Sequence, residues 1–161
     1  MHHARLIIYF NFIGVVYLNI LFWLTPKSEV DYITDDSSLN KALQKMENRN
    51  FSAVPVISRT GKYVGTLTAS DILGCIKENF DLSIKRSADF PVSRVRRVRD
   101  NKPVYINAKM EDMLDIIQNQ NFVPVVDDEN NFIGIITRRQ VIKWMRQQLA
   151  QAYSDNDDVL K

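Results

Sequence analysis

Two stretches of this chain carry the same alternation of apolar and polar positions. Phe51 to Ala69 reads FSAVPVISRTGKYVGTLTA, and Asn121 to Arg138 reads NFVPVVDDENNFIGIITR. Pro55 and Pro124 stand 69 positions apart, as do Gly65 and Gly134, and Thr68 and Thr137 keep the same offset. Each copy has a short apolar run (Val54 to Ile57; Val123 to Val126), a polar turn, and a second run (Tyr63 to Leu67; Phe132 to Ile136). Runs of this length and composition bounded by turn residues predict buried strands, and the residues after each second run predict a helix. Ahead of each pair the period changes. Leu39, Ala42, Leu43 and Met46, and likewise Met110, Met113, Leu114 and Ile117, recur at i, i+3, i+4 and i+7, which puts them on one face of a helix. Ser37 or Ser38 and Asn107 are the candidate N-caps. The second copy is two residues shorter between helix and strand, because Met46 precedes Pro55 by nine positions and Ile117 precedes Pro124 by seven.

A helix, strand, strand, helix unit used twice predicts an α/β fold built from two repeats. Each half is too small to be secure unless it packs on the other. The expected organisation is an apolar segment 1–24, a first repeat 25–79, a basic linker 80–102, a second repeat 103–150 and an acidic tail 151–161.

The flanks carry different patterns. Leu6 to Leu24 is nineteen residues without a charge, barely enough for a helix to cross a hydrocarbon core of about 30 Å. Its readings are a membrane anchor, an unusual packed helix, or a start codon read too far upstream with the domain beginning near Phe22. A secretory signal is the weakest reading, since no small-residue cleavage site precedes Pro26. Tyr9, Phe10, Phe22 and Trp23 suit the interfaces of a span, whereas Arg5, His2, His3 and Lys27 supply only a weak orienting bias. The expected location is a cytoplasmic domain, anchored at its N-terminus if residues 6–24 span. Between the repeats, Lys85, Arg86, Arg94, Arg96, Arg97, Arg99 and Lys102 face Asp81, Asp89 and Asp100. SRVRRVRD alternates Val95 and Val98 with arginines, as a partly buried strand or a connector would. The stretch reads as a solvated linker or partner surface, or as positive charge for an anion site or an acidic partner. Tyr153 to Lys161 reads as an acidic, frayed tail.

Composition excludes more than it suggests. Charged residues make up 25% and apolar ones 45% of the chain, ordinary for a globular domain. A net charge of +2 without a base-reading element argues against nucleic acid. The two histidines, His2 and His3, precede the repeats, so no histidine triad or histidine metal cluster can form within them. No P-loop motif occurs. The lone Cys75 sits beside Ile72, Leu73 and Ile76, as a buried small hydrophobe does, with a redox thiol the sharper reading. No catalytic residue, metal or cofactor is therefore expected.

VPV in each copy, then the glycine, then GTLTASD and GIITRRQ, resemble a tandem pair of cystathionine-beta-synthase (CBS) domains, also called a Bateman module, over about Glu29 to Gln148. More narrowly, the short second copy ending in ITRRQVIKWM is similar to small stand-alone CBS proteins of Firmicutes that bind cyclic di-AMP. The resemblance implies two repeats related by a pseudo-two-fold and a homodimer whose paired modules form a disc. It implies regulation of a target enzyme such as a (p)ppGpp synthetase-hydrolase or pyruvate carboxylase. It implies cyclic di-AMP as regulatory ligand, with AMP or ATP as alternatives. A structural module without a ligand is the remaining non-enzymatic reading.

Thr68-Ala69-Ser70-Asp71 follows a strand and opens a helix. The Asp71 carboxylate can accept hydrogen bonds from ribose hydroxyls, and the helix terminus offers free N–H groups to a phosphate. Thr68 and Asp71 also satisfy a capping box by themselves. In the second copy Thr137-Arg138-Arg139-Gln140 has an amide in place of that carboxylate and two guanidinium groups, which suit a phosphate-rich nucleotide or serve as surface ion-pair residues. By resemblance to the family, the strand around the proline lines an adenine pocket. Ser52, Ala53 and Val54 are then candidates in one copy and Asn121, Phe122 and Val123 in the other, with Phe122 stacking on a ring or filling the pocket.

Overall fold

The computed structural model describes residues 19–80 and 83–158, with the side chains of residues 148 and 151–158 outside the description. Twelve strands and α-helices build two similar halves. The chain enters through a 3-10 turn, Ile20–Trp23, and a two-residue strand β1 (Thr25–Pro26). The first half comprises β2 (Ile33–Thr34), α1 (Leu39–Arg49), β3 (Ala53–Ile57), β4 (Tyr63–Thr68) and α2 (Ala69–Phe80). A connecting stretch holds α3 (Ile84–Ser87) and a 3-10 turn, Val92–Arg94. The second half comprises β5 (Val104–Tyr105), α4 (Met110–Ile117), β6 (Phe122–Val126), β7 (Phe132–Thr137) and α5 (Arg138–Asp158).

Both halves share one plan. β2 runs parallel to β3 and β5 parallel to β6, while β3–β4 and β6–β7 are antiparallel hairpins in the same register: Ala53 faces Thr68 as Phe122 faces Thr137. The helical stripes seen in the sequence cover these sheets. Leu39, Ala42 and Met46 of α1 close over Val54, Val56 and Leu67, and Met113 and Ile117 of α4 over Val123, Val125 and Ile136. Ser38 caps α1, accepting a bond from the Lys41 N–H. At α4 the expected cap Asn107 is replaced by Lys109, whose side chain makes no capping bond. Ile57, Tyr63, Val126 and Phe132 form a third cluster where the halves meet, with the Tyr63 ring stacked on Phe132 at 6.2 Å between centroids. The hairpin turns interlock there: Tyr63 N–H donates to the Asn130 carbonyl and Phe132 N–H to that of Gly61. This shared cluster is how two small repeats become one body.

Four sequence expectations are corrected by this packing. Residues 20–24, placed in the apolar segment, belong to the second half. Ile20 and Trp23 lie in its core, the Trp23 ring meets that of Trp144 edge-on at 5.1 Å, and β1 extends the second sheet to the order β1-β7-β6-β5. Burying two such side chains is worth roughly 2–3 kcal/mol each, which a span would forgo; a start near Phe22 would forgo that of Ile20 alone. Residues 6–18 of the proposed span lie outside the described residues, among which no helix is long and apolar enough to cross a membrane. Second, Thr25 and Pro26, at the start of the first repeat, pair with β7 of the second half and not within their own sheet. Third, the basic linker is a packed strap: Val92 and Val95 are in the first core with Phe90 against it, although Val98 is 77% exposed and no strand forms. Asp81 lies outside the described residues. Fourth, α5 continues to Asp158 through most of the stretch expected to fray, and residues 159–161 are not described.

Cys75 is buried in the first core, and that burial pushes its thiol up from the ordinary range. Because the thiolate is the reactive form, alkylation of the folded protein near neutral pH is expected to run roughly tenfold or more slower than in denaturant. Equal rates in the two conditions would place this thiol at the surface.

Candidate functional site

Each half presents a hairpin end feeding directly into a helix, and the same side-chain device closes both junctions. The Thr68 N–H and Oγ1–H donate to Asp71 Oδ2 at 2.9 and 2.6 Å, and Asp71 N–H donates back to Thr68 Oγ1 at 3.1 Å. In the second half Thr137 N–H and Oγ1–H donate to Gln140 Oε1 at 2.8 and 2.6 Å, and Gln140 N–H returns a bond to Thr137 Oγ1 at 3.2 Å. These are reciprocal capping boxes. The remaining acceptor and donor are also used. Asp71 Oδ1 accepts from Val98 N–H at 3.0 Å, and Gln140 Nε2 donates to Thr25 Oγ1 at 3.0 Å.

Val98 and Thr25 belong to two straps, one across each hairpin. β1 crosses β7 at Gly134, where an added Cβ would collide with the Thr25 carbonyl oxygen. The segment Arg97–Lys102 crosses β4 at Gly65, where a Cβ would meet the Asp100 carboxylate and Arg97. The repeated glycine thus makes room for a strap in both halves. The second strap is the more tightly tied. Thr66 N–H and Arg97 Nε–H both donate to Asp100 Oδ1 at 2.8 Å. Asn101 Nδ2 donates to the Phe122 carbonyl at 2.8 Å, and Lys102 exchanges backbone bonds with the Gln120 amide at 2.6 and 3.1 Å. It therefore joins the first half to the second on the Asp71 side.

On the other side a cleft of about 350 Å³ is open between the halves. Its walls include Ser52, Ala53 and Pro55 from the start of β3, Asn121 and Phe122 from the start of β6, and Ile135 and Thr137 from β7. The β1–β2 segment adds Thr25, Glu29, Val30 and Asp31, and the end of α1 adds Asn50 and Phe51. Of the sequence candidates, the fold brings together Ser52, Ala53, Asn121, Phe122 and Thr137. Phe122 is buried and shapes the wall, leaving the half-exposed Phe51 as the accessible ring. Val54 and Val123 are fully buried in the two cores. Thr68 and Asp71 stand at the strapped junction. Arg138 bends back to donate its Nε–H to the carbonyls of Ile117 and Gln120, both at 2.9 Å, where it satisfies the C-terminal end of α4. Arg139 is exposed.

The cleft also holds groups that the repeat comparison passed over. Asp31 is held by Arg49 at 3.1 Å and Lys45 at 3.7 Å, and Lys45 in turn donates to the Tyr32 carbonyl at 2.8 Å. Glu29 ends a 3-10 turn beside it. Both carboxylates sit in the β1–β2 segment, outside the stretches that repeat, so the alignment of the copies gave no signal for them. Phe51 could have been found: it begins the first repeated stretch as an apolar residue just after a helix stop, and Asn50 takes the left-handed cap conformation there. Among the described residues no lysine or arginine lines the cleft, and no cluster of three metal-ligating side chains occurs.

Comparisons with known proteins agree on the architecture. The sequence model of the CBS domain family matches residues 24–78 and 93–147. An inosine-5'-monophosphate dehydrogenase of Methanocaldococcus jannaschii is 27% identical over 129 residues, which are 79% of this chain and 23% of that protein. The chain thus spans less than a quarter of that relative's length. Among solved structures, CbpB in complex with c-di-AMP has a TM-score of 0.79 at 26% identity, covering 89% of this chain and 95% of that one. CbpB from Streptococcus agalactiae has a TM-score of 0.73 at 27% identity, covering 84% of each chain.

Proposed function

The chain belongs to the CBS-domain family as a tandem pair, and from that premise we propose that it is a non-catalytic sensor whose open cleft takes an adenine nucleotide, cyclic di-AMP first. The observation that carries the reading is the cleft itself. It is large enough for a nucleoside-sized group, and its walls combine the small Ser52 and Ala53 with the accessible Phe51 ring. The likeness to CbpB, which is described as bound to c-di-AMP, supports that ligand over AMP or ATP. Arg139, exposed two residues beyond the cleft-lining Thr137, is assigned to phosphate, while Arg138 keeps its backbone partners. The sensor acts on a partner enzyme, such as a (p)ppGpp synthetase or pyruvate carboxylase, by binding nucleotide with different affinity in two states.

Calorimetric titration of the whole chain with cyclic di-AMP, AMP, ATP and cyclic di-GMP at fixed salt tests this. Micromolar binding of cyclic di-AMP is expected, with cyclic di-GMP at least about tenfold weaker, a gap of roughly 1.4 kcal/mol. Ala53→Trp, which fills the cleft, should weaken it by a similar factor. Preference for AMP or ATP would make the protein an energy-status sensor, and silence with every adenine nucleotide would sink the sensor reading.

The protein is further proposed to act as a homodimer through its helical face. Leu73 and Ile142 are exposed at equivalent positions 69 apart, and Ile84 and, on α5, Met145 and Leu149 are exposed as well. A groove of about 420 Å³ between α1 and α2, lined by Leu43, Met46, Ile72, Leu73, Ile76 and Ile84, continues that face. Leu73→Glu should shift the species seen by light scattering from dimer to monomer with little loss of melting temperature. An unchanged mass would place the contact elsewhere.

A further inference from the structure

We propose that Asp31 reads the 2′-hydroxyl of the nucleotide's ribose, supplying from the β1–β2 segment the carboxylate that neither helix start can offer. This inference rests on the nucleotide reading above and names the sugar contact within the same cleft.

The two positions at which a helix start would present an acceptor to a sugar are both closed to it, Asp71 by burial under the strap and Gln140 because its carbonyl oxygen already accepts two bonds. Asp71 receives Thr68 through Oδ2 and Val98 through Oδ1, and it is only 3% exposed. Gln140 receives Thr137 through Oε1 and donates its amide to Thr25. A sugar bound in the open cleft must find its acceptor elsewhere on the wall. Two carboxylates line that wall, Glu29 and Asp31.

They differ in how they are held. Glu29 is an exposed side chain at the end of a 3-10 turn. Asp31 is partly buried, with a cation on each oxygen: Arg49 on Oδ2 and Lys45 on Oδ1. Lys45 is itself tied to the Tyr32 carbonyl. Each carboxylate oxygen has two lone-pair directions, so both oxygens keep acceptor capacity after these pairings. A hydroxyl can use that capacity because it donates, whereas the oxygens of a phosphodiester only accept. The acceptor-only character of Asp31 therefore favours the donating sugar edge of a nucleotide over its phosphate.

The test compares ribo- and 2′-deoxy ligands on the whole chain: AMP against 2′-deoxy-AMP, and cyclic di-AMP against its 2′-deoxy analogue, by calorimetry. The wild-type protein should prefer the ribo form by roughly tenfold or more, the affinity equivalent of one hydrogen bond to a charged group. Asp31→Asn should cut that preference to about threefold or less, chiefly by weakening the ribo ligand, whereas Glu29→Gln should keep it. The wild-type comparison needs no variant, so a poorly folding Asp31→Asn leaves the proposal falsifiable. Binding of adenine nucleotides with no ribose preference, or a preference that survives in Asp31→Asn, overturns this inference alone. No binding of any adenine nucleotide to the wild type overturns the sensor reading with it.

Discussion

Replacing Asp71 with alanine is expected to destabilise the protein by about 3 kcal/mol, a cost set by the bonds of its buried carboxylate. Three donors converge on it: the Thr68 N–H, the Thr68 hydroxyl and the Val98 N–H. The alanine variant leaves these donors without their acceptor at a junction where Asp71 is nearly inaccessible to water. It also frees the end of the strap at Val98, whose own side chain is exposed and contributes no packing. Urea unfolding should therefore show a lower midpoint, and amide exchange at Val98 should accelerate in the native state. Asp71→Asn, which retains one acceptor oxygen, should cost less. A variant that melts like the wild type and loses only nucleotide affinity would instead establish the ribose contact considered from the sequence.

Gly134→Val is expected to cost a comparable amount, roughly 3 kcal/mol, at the upper end of what overpacking inflicts. The added Cβ lands on the carbonyl oxygen of Thr25 and close to Leu24 Cδ1 and Pro26 Cα, at 2.9 and 3.1 Å. Backbone of a paired strand cannot swing aside as a side chain can, so β1 must leave β7. Ile20 and Trp23 are only a few residues upstream and are drawn from the second core with it. A red shift of tryptophan emission and faster proteolysis near Leu24 should accompany the loss of stability. At Gly65 the obstacle is the side chains of Asp100 and Arg97 and the backbone φ is +159°, so Gly65→Ala is expected to cost stability too, by breaking the Asp100 bonds to Thr66 and Arg97 rather than by displacing a strand. Emission and cleavage unchanged in Gly134→Val would show that β1 does not depend on that glycine.

The strands and helices were legible because their signals are local. The doubled proline, glycine and threonine located both hairpins to within a residue of their observed ends. The stripes Leu39–Met46 and Met110–Ile117 named the faces that are covered, and the capping boxes at Thr68 and Thr137 needed only a spacing of three. Of the six candidates around the two prolines, the fold brings four to one cleft. Ser52, Ala53, Asn121 and Phe122 line the cleft, but the strands are buried on both faces, β6 throughout its length. Alternation therefore could not separate Val54 and Val123, which serve the cores, from their neighbours. Arg138 was unreadable for another reason: its guanidinium satisfies the end of α4 eighteen and twenty-one residues away, and a dipeptide of arginines does not disclose which of the two turns back.

The sequence by itself determined a two-repeat α/β module with equivalent hairpins, helices and helix starts, because periodicity and short-range capping are written in neighbouring residues. Only the tertiary structure decided how the two sides of this module differ. One junction is closed by residues 97–102 and the other leaves a cleft walled by Glu29, Asp31 and Phe51. Straps are held by hydrogen bonds between residues about 20 to 115 apart. They have no period, and they depend on two glycines whose missing side chains matter only once another segment lies across them.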